Sequence, residues 1–152
     1  MNIECIYICP EPSADQVLRE KIELVAGQGI IGDRNYGLSK WPGQNLTLIE
    51  AEEIEAFIQE QNLKYDLSIT RRNIITRGVR LNDLVGKEFM VGEVRLRGVE
   101  LCEPCSSLGN ALSSSSLPPK NVVERFHRRG GLRADVLTSG AIVGGAKIVG
   151  ID

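Results

Sequence analysis

A mostly-β, barrel-like single domain spanning residues 1–152, with one clear helix and one short one, is the architecture this sequence predicts. Three observations lead there. Sixteen glycines, single and paired, cut the chain into short apolar stretches, a pattern of many short strands rather than long helices. Several stretches alternate apolar and polar residues with the period of two that marks a half-buried strand. No linker or internal repeat divides the chain, and its 152 residues are enough to bury one independent core.

The elements follow in order. NIECIYIC (2–9) is rich in β-branched and aromatic residues and reads as the opening strand. NLTLIE (45–50) reads as another strand, entering the clear helix. In EAEEIEAFIQEQN (50–62), Ile54, Phe57 and Ile58 fall at i, i+3 and i+4, with Glu and Gln on the other faces. DLSITRRNIITRG (66–78) and EFMVGEVRLRGVEL (88–101) read as strands. In the second, Val94 and Leu96 alternate with Arg95 and Arg97, so one face is buried and the other wet. SSLGNALSSSSLPPK (106–120) is too polar for a core and reads as a mobile loop. NVVERFHRRGG (121–131) suits a short helix closed by a glycine pair, with Val122, Val123 and Phe126 inward. The tail RADVLTSGAIVGGAKIVGID (133–152) gives two or three short strands joined by glycine turns.

Composition narrows the function classes. With 42% hydrophobic and 25% charged residues the chain is an ordinary globular protein. No run approaches the ~18 apolar residues of a membrane helix, and the opening MNIECIYICPEPS lacks a basic n-region. A cytoplasmic location is the expectation, where thiols stay reduced, so the four cysteines are not first read as two disulfides. The net charge of −2 conceals an asymmetry: residues 1–66 hold 12 acidic against 5 basic side chains, residues 67–152 hold 8 against 13. Either an anionic ligand prefers a surface built from the second half, or folding interleaves the halves and cancels the difference. Nucleic acid is a poorer fit, because the total charge is negative and aromatics are only 5%.

GQGIIG (27–32) matches GxGxxG through Gly27, Gly29 and Gly32. A dinucleotide site needs that loop to open a helix. Here Gly37, Pro42 and Gly43 interrupt the continuation, so the glycines are read as turns between strands. Cys102 and Cys105 form a CxxC, but the serine-rich segment after them is a poor helix for a thioredoxin-like site. Cys5 and Cys9 could complete a zinc set with them. Four residues apart on one strand, though, they lie far along a shared face and are better read as core thiols. Cys105 differs: it follows a proline, ends a strand and enters a polar loop, a place for an accessible thiolate able to ligate metal or carry sulfur. A Cys/His pair with His127, the single histidine, stays open, as does a structural role for that histidine. Two basic clusters, Arg71, Arg72, Arg77 and Arg80, then Arg125, Arg128, Arg129 and Arg133, supply forks suited to phosphate. Gly130 and Gly131 would let backbone approach an anion.

The order of segments resembles a small stand-alone MOSC domain, named for the C-terminal domain of molybdenum-cofactor sulfurases. The resemblance runs from about Gly29 to about Ile148. It is carried by GIIGDRNYG, then RRNIITRGVRLNDLVGKEFMVGEVRLRGVELCEPC, then RRGGLRADVLTSGAIVGGAKI. It implies a β-barrel like that of the pyruvate kinase barrel domain. It also implies binding of the molybdenum cofactor, a pyranopterin, or of a sulfur-carrying relative, with the cysteine of the PC pair, Cys105, as sulfur carrier or molybdenum ligand. Arg72 and Asn73 match the family's basic-plus-amide element and, with Arg133, are expected to hold the anionic cofactor. Asp33 and Arg34 match the GDR element, as a site wall or a structural turn. Pyridoxal phosphate belongs to the separate aminotransferase-like domain of the larger sulfurases and is not expected on this chain.

The leading expectation is therefore a MOSC-type protein that binds the cofactor and handles sulfane sulfur or molybdenum through Cys105, with Cys102 incidental. Two others stand beside it: a molybdenum-dependent reductase component for N-hydroxylated compounds, and a non-catalytic cofactor-delivery module. Implied partners are the cofactor or another small anion and a separate sulfur donor or electron-transfer protein. Neither nucleic acid nor membrane is expected as a partner.

Overall fold

The structure, a computed structural model, describes residues 1–62, 66–102, 109, 112–113 and 117–151. Eight strands form one sheet: β1 (Asn2–Ile8), β2 (Val17–Arg19), β5 (Leu46–Glu50), β6 (Ile74–Arg77), β7 (Glu88–Val91), β8 (Val94–Leu101), β9 (Leu132–Val136) and β11 (Ile148–Gly150). Their order is β11-β7-β8-β9-β5-β6-β1-β2. A smaller sheet joins β10 (Gly140–Val143), β3 (Lys21–Val25) and β4 (Gly29–Ile30). All pairings are antiparallel except β5 with β6, which are joined through helix α1 (Ala51–Gln61), as a parallel crossover requires.

The large sheet curls until the chain at β11 comes back against β1. Ile148 N donates to Met1 O at 3.1 Å and Ile3 N to Ala146 O at 2.9 Å, bringing the segment before β11 against β1. Inside the barrel lies the first core, with Ile3, Ile6, Leu46, Leu48, Ile74, Phe89, Val94, Leu96 and Leu132 among its members. The alternation of Val94 and Leu96 with Arg95 and Arg97 falls as expected: the first two are buried, the arginines exposed. A second core fills the space outside β1, β5 and β6. There Tyr7, Ile49 and Ile75 meet Ile54 and Phe57 of α1, and Val122 and Phe126 at the second helix, α2 (Pro119–Arg125). The Phe57 and Phe126 rings stand 5.1 Å apart between centroids, within the range for favourable tilted aromatic pairs.

Helix α1 occupies its expected segment and the tail forms three strands, but α2 covers Pro119–Arg125 and ends at Phe126, before the glycine pair expected to close it. Helix α1 carries Glu52 and Glu53 in its first turn, favourable at the positive end of the helix dipole. It stops at Asn62, which adopts φ 52°, a common left-handed helix ending. Two other segments differ from expectation. Only Ile74–Arg77 of 66–78 is a strand, because the Asp66 carboxylate accepts from Ser68 N at 2.9 Å and starts a 3-10 turn over Leu67–Thr70. The serine-rich segment is not wholly outside the core: Leu112 is fully buried in the second cluster and Leu117 packs against it. No helix among the described residues is long and apolar enough to cross a membrane.

Of the GxGxxG glycines, Gly27 and Gly32 sit at turns as read, whereas Gly29 opens β4. Gly27, Gly29 and Gly32 have φ of 74°, 112° and 91°, and turns rather than a helix follow them.

Candidate functional site

One corner of the barrel collects most of the residues that the sequence singled out. Asn73, just before β6, is buried, and its amide is fully used. Its Nδ2 donates to Tyr7 O and to Asp33 Oδ1, both at 3.2 Å. Its Oδ1 accepts from Thr47 N at 3.1 Å and from Thr47 Oγ1 at 3.3 Å. Asp33 also accepts from Cys9 N at 2.9 Å and, through Oδ2, from Asn35 N at 3.1 Å. The GDR turn, the end of β1, β5 and the start of β6 are therefore held by one buried polar cluster. A saturated cluster of this kind fixes geometry, because any member removed leaves a desolvated donor or acceptor unpaired.

Arg34 is not at the centre of that cluster: its Nη1 reaches Pro12 O at 3.2 Å. The same carbonyl accepts from Arg71 Nη2 at 3.2 Å, and Arg71 also donates to Ala14 O at 2.8 Å and to Cys9 Sγ at 3.0 Å. Arg71 can turn back in this way because it closes the 3-10 turn at φ 60°. Both arginines thus pin the 9–14 loop.

Arg72 points elsewhere. Its Nε donates to Gly130 O at 2.9 Å, and the next carbonyl, Gly131 O, accepts from Cys102 N at 2.8 Å. The glycine pair permits this meeting. A Cβ on Gly130 would lie 2.6 Å from Cys102 O, and one on Gly131, at φ +107°, would lie 2.1 Å from Leu48 O. The end of β8, from which the chain runs into the Cys105 segment, is thereby fastened beside Arg72. Cys102 itself is buried, 1% exposed. Cys105 lies outside the described residues.

Arg133 completes the corner. It sits opposite Thr47 on β5 and Glu100 on β8, and a Cβ on Gly43 would come within 3.1 Å of its own Cβ. Among the described residues its guanidinium has no hydrogen-bond or ion-pair partner. Beside it, Gly43 N donates to Asp135 Oδ1 at 2.7 Å. A cleft of about 360 Å³ opens there, with Lys40, Trp41, Asn45 and Asp135 in its lining.

Of the other arginines in the two basic clusters, Arg128 is exposed and meets no acceptor among the described residues, and four meet carboxylates. Arg77 pairs with Glu55 and Glu4, Arg80 with Glu50 and Glu53, Arg125 with Glu60 and Glu53, and Arg129 with Glu53. Arg77 and Arg125 hold the Glu55 and Glu60 carboxyls below the usual range. Burial pushes Glu50 up, against the opposing pull of Arg80 and the Leu81 N–H. Elsewhere, burial raises the Cys5 thiol and the Tyr7 phenol, which share a hydrogen bond. Among the described residues no group of three or more His, Cys, Asp or Glu side chains could hold a metal ion.

Sequence reading missed Thr47, which shares β5 with the core residues Leu46 and Leu48 but faces the other way, toward Asn73. It also missed Gln16, whose Nε2 caps Arg72 O at 3.1 Å. The hydroxyl in an otherwise apolar strand was the available signal for Thr47.

A family model for the MOSC domain matches residues 35–149. The chain belongs to the MOSC domain family. Among solved structures it is similar to the YUAD protein from Bacillus subtilis, at 19% identity over 96% of this chain and 92% of that one, with a TM-score of 0.81. YiiM from Geobacillus stearothermophilus aligns at 17% identity over 99% of this chain and 75% of that one, TM-score 0.74. YiiM from Escherichia coli aligns at 16% over 100% and 70%, TM-score 0.71. At these identities the likeness is one of fold, and it bears out the MOSC-type β-barrel. No curated protein matches the chain.

Proposed function

We propose that this MOSC protein binds the molybdenum cofactor at the corner formed by β5, β6, β8 and β9, with Cys105 as its functional thiolate. The observation that carries the reading is two arginines at the barrel corner left without a carboxylate. Arg72 meets only a carbonyl and Arg133 meets no acceptor, while four neighbouring arginines of the same clusters are neutralised by carboxylates. Arginine forks without a carboxylate are suited to a phosphate. The residues present fit a compact, planar, anionic group for that reason.

In this reading Arg72 and Arg133 hold the cofactor phosphate. Asn73, Asp33 and Thr47 keep the strands that carry them in register, and Arg34 fixes the loop behind. Trp41, 63% exposed beside the cleft, offers an aromatic face to a planar ring. The cofactor, when bound, supplies a molybdenum centre that a soft thiolate can ligate. As a sulfur carrier, Cys105 takes sulfane sulfur from a donor persulfide. One S–S bond forms at Cys105 as the donor's S–S bond breaks, and the donor leaves as a thiolate, so no oxidant is consumed.

The test is the molybdenum and pterin content of protein purified from a host that makes the cofactor, with Cys105→Ser alongside. Near-stoichiometric pterin in both, with molybdenum lost from Cys105→Ser, is the expected result. Pterin and molybdenum unchanged in Cys105→Ser would leave a delivery module without a functional thiolate. Neither component in the wild-type protein would overturn the reading.

A further inference from the structure

The segment 38–44 lies against the outer face of β8 and β9, where a Cβ on Gly43 would come within 3.1 Å of Arg133 Cβ and 3.3 Å of Val99 Cβ. Its backbone is fastened by two amides. Gln44 Oε1 accepts from Lys40 N at 2.7 Å and from Trp41 N at 3.2 Å. Asn45 Nδ2 donates to Leu38 O and to Gly27 O, both at 3.3 Å. On this fixed backbone Trp41 is 63% exposed and lines the cleft of about 360 Å³. An indole kept in water by a fastened loop is apolar surface without a partner, and a preorganised loop loses little freedom when a ligand covers it.

Asp135 and Lys40 line the same cleft. Asp135 Oδ1 accepts from Gly43 N at 2.7 Å, which sets the direction of the carboxylate, and Oδ2 has no partner among the described residues. No described cation neutralises it. Arg97, opposite on β8, has its Nη2 4.0 Å from Glu88 Oε2, and Arg133, two residues earlier on the same face of β9, makes no ion pair. Lys40 makes none either. A carboxylate has about four lone-pair sites, so Asp135 can accept further donors. The cleft therefore offers a pair of acceptor oxygens, one charged donor and an aromatic face. A 2-amino-4-oxopyrimidine edge is the complement: two adjacent N–H donors and a carbonyl oxygen on a flat ring.

We propose that this cleft is the ring subsite of the cofactor corner and that it reads a pterin by its pyrimidine edge. Asp135 accepts from the 2-amino group and N3–H, Lys40 donates to the 4-oxo group, and Trp41 covers one face of the bicycle. The subsite rests on the reading of the corner as a molybdenum-cofactor site and deepens it. Arg133 stands about 6.5 Å back along β9, so a ring read at Asp135 has its phosphate tail toward Arg133. Asp135 then sets which heterocycle is accepted, and Arg133 which tail. Guanine carries the same edge, and the test separates the two.

Calorimetric titration of the full chain with pterin, with guanosine and with lumazine, which carries a 2-oxo group in place of the 2-amino group, tests it. Wild type should bind pterin more tightly than guanosine and at least tenfold more tightly than lumazine, because a site built to accept from a donor rejects the analogue that lacks it. Asp135→Asn, which keeps an acceptor for Gly43 N, should erase the preference over lumazine. Trp41→Ala should weaken both ligands and preserve it. Should Asp135→Asn fail to fold, the wild-type preference and its survival in Trp41→Ala decide. None of these rings carries phosphate or molybdenum, so the result is separate from the pterin and molybdenum content that tests the corner itself. Binding of neither pterin nor lumazine, equal binding of the two by wild type, a preference that survives in folded Asp135→Asn, or guanosine bound more tightly than pterin would each overturn the proposal.

Discussion

Two sets of arginines, indistinguishable in the sequence, do different things in the folded chain. On the helical flank, Arg77, Arg80, Arg125 and Arg129 all meet carboxylates, with contacts from 2.8 Å for Arg125 and Glu60 to 3.8 Å for Arg129 and Glu53. At the barrel corner, Arg72 and Arg133 meet none. Every acid on the flank, Glu4, Glu50, Glu53, Glu55 and Glu60, comes from the acidic first half of the chain, and every arginine paired with it comes from the basic second half. Folding therefore cancels much of the charge asymmetry, and Arg72 and Arg133 belong to the part it leaves. A run of arginines is evidence for an anion site only after the carboxylates that fold against it have been subtracted.

The comparison makes the flank structural and the corner a binding surface, and variants can separate the two. Phe126→Ala should have the largest effect. It removes a fully buried ring from the second core and should lower unfolding free energy by about 3–5 kcal/mol, read from urea melts. Next comes Asn73→Ala, which strips partners from Thr47 N, Tyr7 O and Asp33 Oδ1 together. A loss of about 2–3 kcal/mol is expected, and a smaller one would mean that water replaces the amide.

The arginines themselves should then part company. Arg125→Ala is expected to cost about 1 kcal/mol, because its side chain is only 19% exposed and bridges Glu53 and Glu60, with the part due to Glu60 fading in salt. Arg133→Ala should leave the melt within about 0.5 kcal/mol of wild type. Yet it should weaken binding of a phosphorylated pterin tenfold or more. Trp41, the only tryptophan, lines the cleft two residues before Gly43, which packs on the Arg133 side chain, and supplies the fluorescence signal. Equal destabilisation by both substitutions would erase the distinction between flank and corner.

The pH dependence gives the smallest effect and the opposite sign for two acids of one flank. Burial raises Glu50 in the folded state, so its contribution to stability is full below the unfolded value and falls as pH climbs through the raised one. Glu60 is lowered by Arg125, so its contribution is present above the unfolded value and is lost as pH falls through the depressed one. Glu50→Gln should flatten the alkaline side of the stability profile through the carboxylate range, and Glu60→Gln the acid side. Both changes should be on the order of a few tenths of a kcal/mol, visible in urea midpoints measured across pH.

Elements with strong local signals were legible in the sequence. The 3.6 period in α1, the alternation in β8 and the glycine-punctuated tail each depend on neighbours in the chain. What escaped depends on contacts between distant segments. β2 and β4, of three and two residues, are too short for a pattern and take shape by pairing with β1 and β3, whereas β3 does alternate over Lys21–Leu24 and its signal was overlooked. Leu112 looked like part of a polar loop until the second core closed around it. At the corner, Arg72, Asn73, Asp33 and Arg133 were named from a family pattern. That Asn73 and Asp33 face each other, while Arg34 turns to Pro12, could not be read from residues 40 apart. Thr47 was overlooked for the same reason, since its partner lies 26 residues away.

Pterin and molybdenum content compared across wild type, Arg133→Ala and Arg125→Ala, all purified from one cofactor-producing host, would test the division between corner and flank most directly. Cofactor present in the wild type, retained in Arg125→Ala and lost from a folded Arg133→Ala is the predicted result. Cofactor retained in Arg133→Ala, or lost equally from a folded Arg125→Ala, would contradict it.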